Sequence, residues 1–533
     1  MKKKFFIFFL LIFYFFFQLS SLDYGTKIND INYIKNTRLD EKTIKNFIQS
    51  KQTIKQTDIK NNEKWIYRYK LYSINADEMM SIMMLSKIDI KNKIFDPYLY
   101  KYGGAFIYPL GLYYYLITKF NLLKDINANS ILSSENLMDK VYFYGRLFIL
   151  ICFIVSGFIF YKCANFFTKK FSSLILTSIY LFVPGSIMFS QIIKPHWYAL
   201  IWANLALLFS IKYLLEKQKE TYLLYISIFL GLSVGSTVLF LPYLFFIIFS
   251  LYILDKDNSL NFKKISFLLS ITFLIFFITN PYIIINFSDF LSEVNHEYIW
   301  VIKGYGLGKG FDLNKIIYFF YNSFILGYGV LFTLVILFYL LIQFKNKSRQ
   351  SRKILFLYCF LLFFGALIGS FASWHIQFKY IPYILPISLL FLSYKIKKKQ
   401  KILLSIILFG TIIQFIPLKI AYYDENNNKY STRLNSAKWL NENIIEKGKT
   451  LCQKDFVPYD YPPINFDKVI IKKECDYNVH VLRQPKEVGK YPIITGDLEN
   501  VETIIKRFPP RFQFIKFPLV FSHINPLIIV TMK

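Results

Sequence analysis

Acidic residues are scarce in this chain of 533 residues, where 34 Asp and Glu stand against 64 Lys and Arg and leave a formal charge of +30. A surplus of that sign raises nucleic acid as a partner, but the lysines fall in short clusters between apolar runs rather than along one face. That pattern is a membrane topology signal, and no nucleic acid is expected as a partner. Cysteine is sparse too. Cys152, Cys163 and Cys359 lie in or beside apolar runs as packing residues, while Cys452 and Cys475 lie in a polar tail where a disulfide suits a location outside the cytosol. No metal-ligand spacing links the five. There is no H-E-x-x-H, no nucleophile elbow, no phosphate-cradling G-x-x-x-x-G-K-[ST] loop and no strand-flanked G-x-G-x-x-G. Zinc hydrolysis, serine hydrolysis and nucleotide binding therefore lack their machinery, and the expectation is no metal and no cofactor. No repeat of the solenoid kind is present.

What the chain has in excess is apolar sequence: 54% hydrophobic residues, 20% aromatic residues and a mean hydropathy of +0.36. Those values override the soluble-domain expectation that length alone would set and describe a polytopic membrane protein. The lysine-headed run at the N-terminus has no clean small-x-small cleavage site, so it reads as a retained first span over 5–22. Further apolar runs follow at 146–161, 171–190, 197–215, 265–285, 316–344, 354–372, 380–394 and 402–420. The run 222–254 counts as two, because Gly235-Ser236-Thr237 breaks it. If every basic cluster between them is cytosolic, the spans number eleven, with the N-terminus inside and the C-terminus outside. One condition attaches to that parity. The Tyr-rich, Pro-containing run 105–120 has to lie along the outer interface rather than cross it.

The expected fold is thus an all-α polytopic membrane protein with interfacial helices in the first external loop and a small C-terminal α+β extracytoplasmic domain. Its expected divisions are a transmembrane catalytic domain over 1–420, with the external loop 23–145, and an extracytoplasmic domain over 421–533. In that tail Ala437, Trp439, Leu440 and Ile444 recur at helical spacing, Gly448 reads as a stop, and strands are expected near Thr450, over 466–474 and over 526–533.

Candidate chemistry centres on the segment 73–115. Asp77 and Glu78 are adjacent acids beside an apolar run, which suits a carboxylate that orients or deprotonates an acceptor at the edge of a low-dielectric cavity; acids in a solvated first helical turn give the same pattern. Lys101 sits in a Tyr-Lys-Tyr-Gly-Gly turn with Tyr102 beside it and Tyr108 further on. A lysine with phenols at a membrane surface suits a phosphate, and a snorkelling lysine in an aromatic belt is the alternative. Lys194 and His196 flank Pro195 at an outer span end, and Arg146 opens a span, where it serves a site or anchors the helix. The loop 280–315 carries Glu297 and Tyr298 ahead of a glycine-rich stretch with the character of a lid. His375 and Lys379 open another outer span end.

The pattern resembles the GT-C superfamily of membrane glycosyltransferases, and more closely its bacterial branch related to protein O-mannosyltransferases and to the aminoarabinose transferase of lipid A. The residues that carry the resemblance are Asp77-Glu78, Asp96-Pro97, Tyr108-Pro109, Arg146, the Pro-containing span Tyr180 to Ser190, Asn280-Pro281-Tyr282, Tyr380 to Pro386, Thr432-Arg433 and Ala437 to Asn441. Lys194-Pro195-His196 and Gly235-Ser236-Thr237-Val238 depart from the acid and the lysine that relatives often carry there. The resemblance implies sugar transfer from a polyprenyl-phosphate-linked donor to a glycan, lipid or protein acceptor on the extracytoplasmic side of the inner membrane. It assigns Asp77 to the catalytic centre, Glu78 to its support and Lys101 to the carrier phosphate. Two other classes carry different signatures. A lipid-linked glycan transporter or flippase expects paired broken helices in two similar halves, and a glycan ligase or polymerase expects a large late loop bearing arginine and histidine. The sequence offers neither, since the 280–315 loop is short and free of arginine.

Overall fold

The computed structural model describes residues 2–25, 71–124, 126, 137–216, 219–255, 260–299, 313–345, 348–371, 382–393, 398–453, 461–464, 475–482, 503–512 and 524–532. Among them, five helices are long and apolar enough to cross a membrane: Leu137–Ala164, Pro195–Leu215, Phe262–Thr279, Arg349–Leu367 and Lys401–Asp424. Six shorter apolar helices accompany them: Phe6–Leu19, Lys170–Phe182, Glu220–Ser236, Val238–Leu254, Val330–Lys345 and Ile384–Ser393. Each of the eleven apolar runs read from the sequence thus overlaps one of these eleven helices. The protein is a multi-pass, predominantly helical membrane protein with a small sheet near its C-terminus.

Several boundaries differ from expectation for local reasons. The second span starts at Leu137 rather than at Arg146, so the arginine lies in the third turn of its helix. The expected run 265–285 stops at Thr279, because Pro281 has no N–H to continue the ladder and opens a separate short helix. The run 316–344 is interrupted. A helix over Leu313–Phe320 passes into a π-turn over Tyr321–Leu326, and Gly329, at φ +104°, lets the chain restart as Val330–Lys345.

By contact the chain gathers into two compact units. The first comprises Met1–Leu19, Met84–Gly111 and Phe148–Ile416. With lipid outside there is no water to drive helices together, so small residues and buried polar groups carry the packing. Gly231 brings Glu220–Ser236 against Phe262–Thr279, and Thr272 donates its hydroxyl to the Ser227 carbonyl at 3.2 Å. Ser233 donates to the Ala199 carbonyl at 3.0 Å, tying in Pro195–Leu215. Ser156 and Tyr180 share a hydrogen bond of 2.6 Å, with the Asn204 amide donating to the Ser156 carbonyl at 3.2 Å. Around that network Phe153 packs on Tyr180 and Trp197, with ring centroids 5.5 and 4.5 Å away.

The second unit comprises Ser20–Met83, Leu112–Leu147 and Pro417–Lys533. Its tail holds a four-stranded sheet of β1 (Leu451–Gln453), β2 (Tyr477–Leu482), β3 (Thr503–Phe508) and β4 (Leu527–Met532), in the order β1-β2-β4-β3. β1 runs parallel to β2, and β4 is antiparallel to both β2 and β3. The helix Thr432–Leu440 starts where the Ser431 hydroxyl accepts from the Leu434 N–H, and it packs Ala437 and Leu440 onto Val479, Ile528 and Val530. Gly448, at φ +67°, ends the segment as expected. The expected strand over 466–474 lies outside the described residues. Cys475 is disulfide-bonded, whereas Cys152, Cys163 and Cys359 are free.

Three residues after the first span help hold this unit's base. Lys419 Nζ donates to Ser21 Oγ at 2.5 Å, Asn426 Nδ2 donates to the Asp23 carbonyl at 2.5 Å, and Tyr24 packs edge-on to Tyr422. Arg433 forms a buried ion pair with Glu425, and Arg511 pairs with Asp424 at 2.9 Å. The last turn of the final span is therefore bolted to the sheet-bearing tail.

Candidate functional site

In the second unit, Asp77 and Glu78 occupy the first turn of the helix Ala76–Ser86, where unpaired backbone N–H groups favour negative charge. Their environments then diverge. Glu78 is 0% exposed and is held by Arg146, itself 1% exposed. Nε of Arg146 donates to Oε1 at 2.9 Å and Nη2 to Oε2 at 2.7 Å, a two-pronged pair that fixes the plane of the carboxylate. Ser73 Oγ adds a third bond to Oε2 at 2.6 Å.

Arg146 is satisfied on its other edge as well. Nη1 donates to the carbonyls of Leu22 and Tyr24 at 2.9 and 2.8 Å, and the guanidinium lies 3.6 Å from the centroid of the Tyr24 ring. Burial pushes the Tyr24 phenol well above its ordinary range, so the ring stays neutral over the cation. A buried ion pair offsets its desolvation only when its remaining hydrogen-bonding capacity is met, and here it is. Asp77 is different. Its N–H donates to Asn75 Oδ1 at 3.3 Å, and the residue is only partly buried.

In the first unit, the turn bearing Lys101 is clamped by its two glycines. The Gly103 N–H donates to the Ser236 carbonyl at 2.9 Å and the Gly104 N–H to Asn280 Oδ1 at 2.7 Å. Asn280 in turn donates to the Gly235 carbonyl at 3.1 Å. A Cβ on Gly103 would stand 1.8 Å from the Gly235 oxygen, and one on Gly104 would stand 2.1 Å from the Thr279 oxygen. Only glycine fits at either place. Lys101 is partly buried on this rigid turn, and Tyr102 beside it is buried edge-on to Phe106. Tyr108 donates its hydroxyl to the Phe95 carbonyl at 3.3 Å.

Beneath the turn sits a carboxylate that the site reading did not include. Asp96 is buried, accepts from the Tyr98 N–H at 2.8 Å and from the Tyr100 hydroxyl at 3.3 Å, and takes a further bond from Asn286. The Tyr100 N–H donates to Glu293. Burial, with Asp96 adding to it, pushes the Tyr100 phenol up to about 12, so it remains a donor at neutral pH. Asp96-Pro97 had a sequence signal as a short motif, and Glu293 stands among the ionisable residues of the 280–315 loop, but nothing local joins that motif to Asn286 and Glu293 almost two hundred positions away.

Lys194 and His196 are both buried where the helix Pro195–Leu215 begins, and the His196 ring meets Phe189 edge-on with centroids 6.0 Å apart. Glu297 and Tyr298 end the helix Phe287–Tyr298, and their side chains lie outside the described residues. His375 and Lys379 also lie outside them.

No protein-family model and no curated protein matches the chain. Solved structures do bear a likeness to it. ArnT from Cupriavidus metallidurans in the apo state is 8% identical, with a TM-score of 0.43 over 87% of this chain and 95% of that one. The same enzyme bound to undecaprenyl phosphate is 10% identical at the same TM-score and coverage. The oligosaccharyltransferase of Archaeoglobus fulgidus is 15% identical, with a TM-score of 0.40 over 80% of this chain, which spans 60% of the length of that one. At these scores the likeness transfers no substrate and no residue role.

Proposed function

We propose that the protein is a membrane glycosyltransferase that moves a sugar from a polyprenyl-phosphate carrier to an acceptor on the extracytoplasmic side of the inner membrane. The observation that carries this reading is the division of labour between two adjacent acids. Both oxygens of Glu78 are engaged by Arg146 and Ser73, while Asp77, next to it, remains partly accessible at the start of the same helix. Paired carboxylates placed in different environments are how one site separates a structural role from a chemical one. The short motifs shared with the GT-C superfamily support the same reading.

In this reading Asp77 accepts the proton of an acceptor hydroxyl or amine as that atom attacks the anomeric carbon. The new bond to the sugar forms as the bond to the carrier phosphate breaks, the phosphate leaves with the electron pair, and the configuration inverts. Lys101, on its glycine-clamped turn, is assigned to the leaving phosphate, where a fixed cation lowers the barrier by meeting the developing charge. Glu78 and Arg146 act as positioning residues that hold the first turn of the Asp77 helix. Tyr102, Tyr108, Lys194, His196, Glu297, Tyr298, His375 and Lys379 complete the proposed substrate-binding set. The disulfide at Cys475 agrees with a tail outside the cytosol.

The test is transfer from a radiolabelled polyprenyl-phosphate monosaccharide by purified protein in detergent. Asp77→Asn should insert and fold normally and lose transfer. Full transfer by that variant would remove Asp77 from the mechanism.

A further inference from the structure

Within the first unit, a cavity of about 700 Å³ opens among the helices Pro195–Leu215, Val238–Leu254, Arg349–Phe371 and Ile384–Ser393. That volume lies within the roughly 300–1,000 Å³ range of small-molecule sites. Its walls are apolar, with Leu207, Ile211, Leu251 and Phe391 among them, and its rim carries Arg349, Lys353 and Asp255. The cavity lines the C-terminal half of Val238–Leu254, while Gly235 and Ser236, which hold the Lys101 turn, precede that helix. None of the lining residues belongs to the Lys101 turn or is among Gly235, Ser236 and Asn280, which hold it, and the nearest lining residue of that helix, Phe246, lies five steps or about 8 Å past Leu241. The cavity is therefore not part of the site described above.

Three features describe its occupant. The rim is cationic: Asp255 already accepts the Leu260 N–H at 2.8 Å, and no carboxylate pairs with Arg349 or Lys353 among the described residues. Lys169 and Lys170, which follow the lining residue Phe167 by two and three positions, are exposed. By the positive-inside rule, this concentration of lysine and arginine marks the cytosolic leaflet. Finally, the hydroxyl of Ser250 is buried in the cavity wall and has no hydrogen-bond partner among the described residues. A fatty-acyl ester carbonyl would accept from it, whereas a polyprenyl chain carries no acceptor at that depth.

We propose that this cavity is a binding site for an anionic glycerophospholipid of the cytosolic leaflet, with an acyl chain between the helices, an ester carbonyl at Ser250 and the phosphate at Arg349 and Lys353. Basic pockets between membrane helices on the cytosolic side hold anionic headgroups by this combination of charge and apolar depth. The proposal does not depend on the transferase reading.

Lipid retention is measured by native mass spectrometry on the full-length protein, offered dioleoylphosphatidylglycerol, dioleoylphosphatidylcholine or undecaprenyl phosphate in turn, with thermal unfolding recorded in parallel. The expected result is preferential retention of the phosphatidylglycerol, weakened on the order of fivefold for each charge removed in Arg349→Gln and Lys353→Gln. Ser250→Trp should block retention by filling the cavity. Because Arg349 is exposed, its variant should fold normally and report headgroup binding alone. Equal retention of the two glycerophospholipids, a preference that survives loss of both cations, or displacement of phosphatidylglycerol by undecaprenyl phosphate would each overturn the assignment.

Discussion

Arg146 grips Glu78 across 68 positions of sequence through two parallel hydrogen bonds, and neither side chain reaches solvent. Removing one partner of such a pair strands a buried charge, at a cost of about 3–5 kcal/mol. Arg146→Met should therefore depress the thermal unfolding midpoint sharply. The double variant with Glu78→Met should recover much of the loss, because no charge is then left unpaired. Equal unfolding temperatures for Arg146→Met and the wild type would show that the pair does not bear on stability.

Asp77 and Lys101 should fail in kinetically different ways. Asp77→Asn is expected to lower kcat by roughly 10² to 10⁴ with unfolding unchanged, the range for loss of a general base. Lys101→Gln should lower kcat as well, because a contact to a leaving phosphate strengthens in the transition state. An increase in donor KM with kcat intact would instead mark Lys101 as a uniform binding contact.

The glycine turn makes a steric prediction. Gly103→Ala places a methyl 1.8 Å from a backbone oxygen that cannot rotate away, so the turn must shift. Overpacking of this kind costs about 1–3 kcal/mol, often more against backbone. Gly448→Ala is the control: nothing lies within 4 Å of its Cβ, and only its φ of +67° penalises it, by roughly 1–2 kcal/mol. Gly103→Ala should reduce transfer beyond its effect on unfolding, whereas Gly448→Ala should leave transfer intact.

The disulfide offers a readout of sidedness. Reduction under native conditions should destabilise the tail by about 2–4 kcal/mol, seen as earlier proteolysis of the β2–β4 region. In intact cells, Cys475 should resist alkylation until a membrane-impermeant reductant is added. Labelling without any reductant would argue against the bond.

Much of this architecture was legible from composition, because apolar runs punctuated by lysine report a physical partition between lipid and water that needs no tertiary information. The eleven runs, the helix around Ala437 and Leu440, the stop at Gly448 and the last strand all follow from local patterns. The break at Pro281 shortened one expected run by a few residues and the one before Gly329 split another in two, since hydropathy registers solvent preference and not the backbone ladder. Glu78 shows where such reading ends. Beside Asp77 it is chemically equivalent, and nothing in the pair tells which acid is consumed by a distant arginine.

The sequence by itself determined that the chain lives in a membrane, where its apolar runs fall and which short motifs hold its ionisable groups, because hydrophobicity and helix periodicity are properties of neighbours along the chain. Only the tertiary structure decided that Arg146 belongs to Glu78, that Gly103 and Gly104 are required by the oxygens of Gly235 and Thr279, and that Asp96 is enclosed by Tyr100 and Asn286. All but the Asp96–Tyr100 contact join residues tens to hundreds of positions apart. Their selection rests on the cost of leaving a charge or a backbone dipole unmatched away from water, which no local stretch of sequence can express.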